Sequence, residues 1–427
     1  MTRTLLMLAA TALALRGVAG AQGVPAARPP GDDARYAAAD ALADSAPPGI
    51  ERSVPALAAY LAQAGPDALI RARALYRWIT GHISYDVEAL RSSRPDDPSP
   101  EAVLLRGRAV CEGFAGLATA LGEAMGLEIE VVTGWSKGYG YTAGQTFDGP
   151  TNHAWNAVRI GGQWRLMDPT WGAGYLDESL RFVRRFQEHY FLTDPAAFVF
   201  DHLPADPRWQ LLDRPLTAAQ YADLVYLRPM FFQLGLKIGN HDRLVIGADD
   251  RVSVTLGVSR PVQLSAQVLE APGGRPLDGE FAFAQAGPEE AQVDARFPRA
   301  GGYLLRVFAK PLGAAGELDW ILDYRVRARR GAAGAEVPVA YEAFGARGGS
   351  LVSPMEGTLA AGRTYAFRLR APGALEVRVA SGGRWTGLEQ RGDEWTGDAK
   401  AAGGAIVVYA RYDAGARFEG LLRYTGR

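Results

Sequence analysis

The stretch Asn152-His153-Ala154-Trp155-Asn156-Ala157-Val158-Arg159-Ile160-Gly161-Gly162-Gln163-Trp164-Arg165-Leu166-Met167-Asp168-Pro169 decides how this chain is read. Two apolar-rich runs flank a glycine pair, the pattern of a β-hairpin with a two-residue turn. If Gly161-Gly162 closes that hairpin, Asp168 faces Trp155 and His153 faces Thr170. His153 and Asp168 are then diagonal neighbours on one face, at ~7–8 Å between backbones. A slip of one residue would separate them. Trp155, Ala157, Trp164 and Leu166 share that face, so it is expected to be buried. The helix beginning at Cys111 is expected to cover it.

Upstream, the pattern from Ser53 to about Leu127 is helical. Leu69, Ala72, Leu75, Tyr76 and Ile79 recur at three-to-four spacing. The segment Pro95 to Pro100 breaks the chain. A helix is predicted from Cys111 to Gly126, with Phe114, Leu117, Ala118, Leu121 and Met125 as its buried stripe. Strands follow over Ile129–Thr133, His153–Ile160 and Gln163–Asp168. Helices first and an antiparallel sheet second indicate an α+β domain.

The chemistry suggested by these residues is nucleophilic. A cysteine at a helix start feels the positive end of the helix dipole, which favours thiolate. A histidine beside it completes an ion pair and can protonate a leaving amine. A carboxylate behind the histidine fixes its tautomer. Gly113 and Ala115 would let the helix start approach the sheet. The Cys111 backbone N–H is placed to stabilise an oxyanion. Leu105 lies six residues before the cysteine, where papain-type proteases carry a glutamine. His82 reads as a cation at a helix end. His189, His202 and His241 have no sequence partner that suggests catalysis. Cys111, His153 and Asp168 are acceptable zinc ligands by type but contain no tightly spaced pair, so no cofactor or metal is expected.

Composition narrows the class further. The 427 residues hold 46 Lys+Arg and 47 Asp+Glu. That balance argues against a nucleic-acid partner. The single cysteine, Cys111, excludes an intramolecular disulfide. Residues 1–21 read as a secretory signal peptide: Arg3, the apolar run Leu5 to Leu15, and Ala19-Gly20-Ala21. Elsewhere no apolar stretch is long enough to span a bilayer. The expectation is an exported protein, periplasmic or secreted, and an unpaired thiol in such a compartment usually has a use.

Residues 22–50, rich in Ala, Pro and Gly, read as a linker with a short helix near Tyr36–Leu42. After about Arg228 the texture changes. Val252–Val258, Val262–Leu269, Tyr303–Phe308, Tyr365–Leu369 and Ile406–Tyr409 alternate between Gly/Pro clusters, the pattern of β-sandwiches. Arg329-Arg330-Gly331-Ala332-Ala333-Gly334 separates two of them. The expected organisation is a catalytic domain over 51–228, one sandwich over 229–334 and a second over 335–427.

Gly107-Arg108-Ala109-Val110-Cys111-Glu112-Gly113-Phe114-Ala115, the motif from Asn152 to Val158 and the run from Trp164 to Gly172 together resemble the three core motifs of the transglutaminase-like superfamily. Trp78-Ile79-Thr80-Gly81-His82-Ile83-Ser84-Tyr85-Asp86 resembles its pre-catalytic helix and turn. Tyr190-Phe191-Leu192-Thr193-Asp194-Pro195 and His202-Leu203-Pro204 resemble a segment of the kyphoscoliosis-peptidase-like branch, whose Ig-like modules the C-terminal strands also resemble. The resemblance implies a papain-like α+β core followed by two Ig-like β-sandwich domains. It implies Cys111 as nucleophile, His153 as general base and acid, and Asp168 as the orienting carboxylate.

The loop Gly134 to Asn152 carries Trp135, Tyr139, Tyr141 and Phe147 among glycines. Two readings stand: the loop walls a groove for a protein or peptide substrate, or it is a disordered excursion whose aromatics pack on the domain. Trp135, Tyr139, Trp155 and Trp171 are the candidate substrate-binding residues. The reading is an acyl-transfer enzyme on protein or peptide amides, with hydrolysis favoured slightly over cross-linking. A third reading is an amidase on cell-wall peptides. The competing reading is a non-catalytic scaffold using the core domain as a peptide clamp, with partners held by the sandwich modules.

Overall fold

The computed structural model describes residues 34–92, 97–177 and 179–427. The signal-peptide reading of residues 1–21 lies outside them, as do residues 22–33 and Pro95. Among the described residues no helix is long and apolar enough to cross a membrane.

Helices come first. The longer ones are α1 (Ala37–Asp44), α2 (Val54–Leu61), α3 (Ala68–His82) and α4 (Cys111–Ala124), with the short helices Val87–Ser92 and Pro100–Arg106 between the last two. Asp67 caps α3, accepting from the Leu69 N–H at 2.7 Å. His82 closes it: its Nδ1 meets the Trp78 carbonyl at 2.9 Å and its ring stacks on Trp78. The stripe Phe114, Leu117, Ala118, Leu121 and Met125 is buried throughout. The segment expected as linker departs from expectation at α1. Ala39 and Ala43 are fully buried in the first core. The buried Arg73 of α3 grips Asp40 on one side and Glu188 on the other, with both carboxylates bidentate. Breaking such a buried ion cluster from one side costs ~3–5 kcal/mol. Residues 37–44 therefore belong to the domain.

A four-stranded antiparallel sheet follows, with β1 (Ile129–Ser136), β2 (His153–Ile160), β3 (Gln163–Met167) and β4 (His202–Pro204) in the order β3-β2-β1-β4. The expected hairpin register holds: Asn156 pairs with Met167 and Ile160 with Gln163. Gly161 and Gly162 both have positive φ, the conformation a tight hairpin turn needs and side chains resist.

The expected placement of α4 does not hold. Asn156 donates to the Ala115 carbonyl at 3.0 Å and to the Thr119 hydroxyl at 3.1 Å. Strand alternation therefore puts α4 on the Ala154/Asn156/Val158 face. The opposite face, with His153 and Trp155, is covered by residues after the hairpin, Phe198 and Trp209 among them. Both faces of β2 are buried, so the apolar pattern could not assign the helix. The close approach to the sheet is made by Gly122, where a Cβ would meet Ile129 at 2.8 Å. Gly113 packs instead on Ala109 and Val103.

Two further cores follow. The first runs from Val225 to Ala335 and lies between two sheets. It starts before the expected boundary at 228, because Tyr226–Leu227 already pairs with Asp323 and Leu322. The second gathers Val337 to Tyr424 between another pair of sheets and takes in Phe283 from its neighbour.

Candidate active site

Cys111 opens α4. The residue before it, Val110, offers no side-chain cap, so the first-turn N–H groups, Cys111's included, lack side-chain partners at the helix's positive end. The thiol is partly exposed. Burial pushes its pKa up, but the hydrogen bond and charge of His153, with the Ala154 backbone N–H, outweigh it and hold the thiol below its usual range.

His153 begins β2. Its Nε2 lies 2.7 Å from Asp168 Oδ2, which leaves Nδ1 as the ring nitrogen for Cys111. Burial pushes His153 down, yet Asp168 and Cys111 together raise it to about 10. Asp168 is wholly buried, and burial alone would raise its carboxyl. The histidines facing it hold it well below the usual carboxylate range instead.

Asp168 divides its work between its oxygens. It follows β3 and caps the short helix α5 (Pro169–Ala173). Oδ1 accepts from the Thr170 and Trp171 N–H groups at 2.8 and 3.1 Å. Oδ2 is left for the histidines. Trp171, first on the next turn, places its ring 5.2 Å from His153 and shields that contact.

The sequence reading missed a member of this cluster. His202, on β4, presents Nε2 to the same Asp168 oxygen at 3.1 Å and Nδ1 to Asp201 Oδ1 at 2.6 Å. Tyr190 donates to the other Asp201 oxygen at 2.9 Å. Ser136 of β1 pairs with His202, and Gly134 of β1 pairs with both His153 and Pro204. The two histidines therefore share a face. The signal was present as Asp201-His202, two polar residues between the apolar Phe198 and Leu203. Ligand atoms of His153, Asp168 and His202 lie within 4.8 Å of one another. Hydrogen bonds among the three account for that spacing, so the group reads as a relay, not as a cation site.

A cavity of about 740 Å³ opens beside His153. Tyr85, Lys137, Tyr139, Trp171 and Tyr175 line it from the first domain. Tyr226, Arg228, Met230, Asp319 and Trp320 line it from the chain entering, and within, the second. Of the four aromatics expected at the substrate site, Tyr139 and Trp171 lie here. Trp135 does not: its indole N–H is tied to the Gly149 carbonyl at 3.0 Å. Trp155 does not either, being fully buried against Phe198 and His202. The loop after β1 is pinned to the second domain. Tyr141 packs on Tyr226 at 4.9 Å, and Gly144 lies where a side chain would strike Arg325. The Lys137 amine, buried among Tyr221 and Tyr141, donates to the Leu224 carbonyl at 3.2 Å. Burial pushes it down to about 7, against the pull of Asp201 and Asp223.

The fold and this cluster define a class. Residues 55–169 match the transglutaminase-like superfamily, and residues 218–339 match the KY-like, immunoglobulin-like domain. The chain carries a transglutaminase-like domain followed by an immunoglobulin-like domain of the KY type. Among similar proteins is kyphoscoliosis peptidase. The mouse (Mus musculus) protein is 32% identical over 62% of this chain and 39% of its own length. The human (Homo sapiens) protein is 31% identical over 65% of this chain and 41% of its own. Hillarin from Drosophila melanogaster is 31% identical over 47% of this chain and 26% of its own length. The chain spans about two-fifths of the length of the kyphoscoliosis peptidases it matches.

Proposed function

We propose that this protein is a cysteine acyl-transfer enzyme acting on amide bonds of proteins or peptides. The observation that carries the reading is His153 at the edge of an open cavity, held on Asp168 at 2.7 Å and close enough to Cys111 to lower its thiol. A thiol held below its usual range beside a histidine raised to about 10 favours the thiolate–imidazolium form of the pair over the neutral one.

The Cys111 sulfur attacks the amide carbonyl carbon. The Cys111 N–H is aimed by the uncapped helix start toward the developing oxyanion, and Tyr85 lines the cavity beside His153. The C–N bond breaks as His153 passes its proton to the leaving amine. A thioester remains on Cys111. His153 then takes a proton from water, whose oxygen attacks the thioester, releasing the acid and restoring the thiolate. A second amine in place of water would cross-link. Hydrolysis is favoured because water needs no site of its own, and because the mouse and human relatives are named peptidases. The cavity between two domains suits an extended polypeptide. The pattern of residues 1–21 supports export to the periplasm or outside the cell, a proposal resting on sequence alone.

Cys111→Ala tests the reading. It should abolish both iodoacetamide labelling and turnover, and mass spectrometry should find the acyl group on Cys111 of the unaltered enzyme. Turnover surviving in the variant would remove the mechanism. A thiol inert at neutral pH would favour the peptide clamp.

A further inference from the structure

Asp168 has two histidines, and the mechanism above uses one. We infer that His202 is a positioning residue: backed by Asp201, it fixes and charges the Asp168 carboxylate so that His153 stays protonated opposite the Cys111 thiolate. The inference deepens the proposed function and rests on it for its catalytic consequence. The geometry stands without it.

His202 is completely enclosed. Its ring is stacked on Phe198 at 4.0 Å between centroids, with Trp171 at 4.5 Å and Trp155 at 5.0 Å. An imidazole in such surroundings needs partners for both nitrogens. It has them, and both are carboxylate oxygens. His202 is wedged between Asp168 and Asp201, with a carboxylate oxygen on each ring nitrogen. Tyr190 saturates the far oxygen of Asp201, and the Tyr190 carbonyl accepts the Asp168 backbone N–H at 3.0 Å. The loop is closed at both ends.

This arrangement answers an electrostatic problem. Asp168 is a wholly buried anion that must stay ionised to hold His153 as a cation. One histidine that gives up its proton during the reaction cannot guarantee that. A second, permanently paired histidine on the same oxygen can, because its proton is never needed elsewhere. It also blocks the carboxylate from rotating away from His153, since Oδ1 is already committed to the α5 N-terminus.

The test reads thiol reactivity, which needs no substrate. Iodoacetamide alkylation of Cys111 is measured across pH in the full chain and its variants. His202→Leu, which removes both donors, should lower the rate by about tenfold on the acid side of the profile's midpoint, one unit of thiol pKa. The midpoint of the profile should move to higher pH. His202→Gln keeps an N–H near the Nε2 position and should stay within about threefold of the parent. A purely structural role would lower the rate without moving the midpoint. If His202→Leu fails to fold by near-ultraviolet circular dichroism, Asp201→Asn is read in its place and should move the midpoint in the same direction. An unmoved midpoint in the folded Leu variant, or in Asp201→Asn when that variant decides, overturns the inference. An unreactive thiol in the parent enzyme would instead overturn the proposed function, so the two failures are distinct.

Discussion

The two C-terminal β modules are built alike and placed differently. The first is woven into the site. Its sheet takes in Tyr226–Leu227 at the exit from the transglutaminase-like domain, and Asp319 and Trp320 of its Asp319–Ala328 strand form part of the cavity wall beside His153. The second touches the first through Phe344 on Phe283 and the Gln285 side chain accepting from the Leu351 N–H, and contributes nothing to the cavity lining. Architecture alone does not say which module borders the cavity. The contact residues at each junction do.

The comparison can be broken most directly at two tryptophans. Trp320 lies under Arg228 and Arg306 at the cavity; Trp385 stacks on Tyr409 in the outer module and is 46% exposed. Trp320→Ala should raise KM about tenfold, equivalent to ~1.4 kcal/mol of lost binding, with kcat little changed. Trp385→Ala should leave both constants alone. Equal effects from the two would mean that the inner module is no closer to the substrate than the outer one.

The inner junction should also respond to pH through Lys137. Its folded-state pKa, about 7, lies below the ordinary lysine value of 10.5. The unfolded chain therefore holds this proton more tightly, and the lysine's contribution to stability rises with pH from about 7 to 10.5. Each unit of depression is worth about 1.4 kcal/mol. Lys137→Met should remove that rise. Thermal melts of parent and variant, compared at pH 7 and 9.5, check it: their difference in Tm should change with pH. A constant difference would mean that the amine is solvated and the junction looser than described.

The smallest effect belongs to Arg185 and Asp319, an ion pair across the same junction at 3.6 Å with both side chains substantially exposed. Such pairs contribute ~0.2–1 kcal/mol. Arg185→Ala should change Tm by no more than a few degrees, and less still at high salt. A larger loss would show that this pair, and not the aromatic wall, holds the module in place.

What could be read from the sequence follows the range of each interaction. The hairpin was legible because Gly161-Gly162 sets its register locally, and His153 and Asp168 follow from that register. Which side α4 covers was not, because Asn156 and Trp155 are both buried and alternation then carries no sign. His202 was missed because its partner is 34 residues away on a non-adjacent strand. The loop position of Trp135 and the strand face of Trp155 place both near His153 in sequence terms, but their contacts turn them away from the cavity. Arg228 and Trp320, which line the cavity from the far side, lie at a distance in sequence that hides them.

Asp168 serves as a helix cap as well as a histidine partner. An N-cap aspartate is worth ~0.5–2 kcal/mol to the fold, whatever happens at the sulfur. A descendant that had lost its chemistry would still be under pressure to keep this aspartate. In surveys of related sequences, an intact aspartate at this position is therefore poor testimony for activity, whereas Cys111, which caps nothing and fills no core, is the residue whose replacement would record the loss.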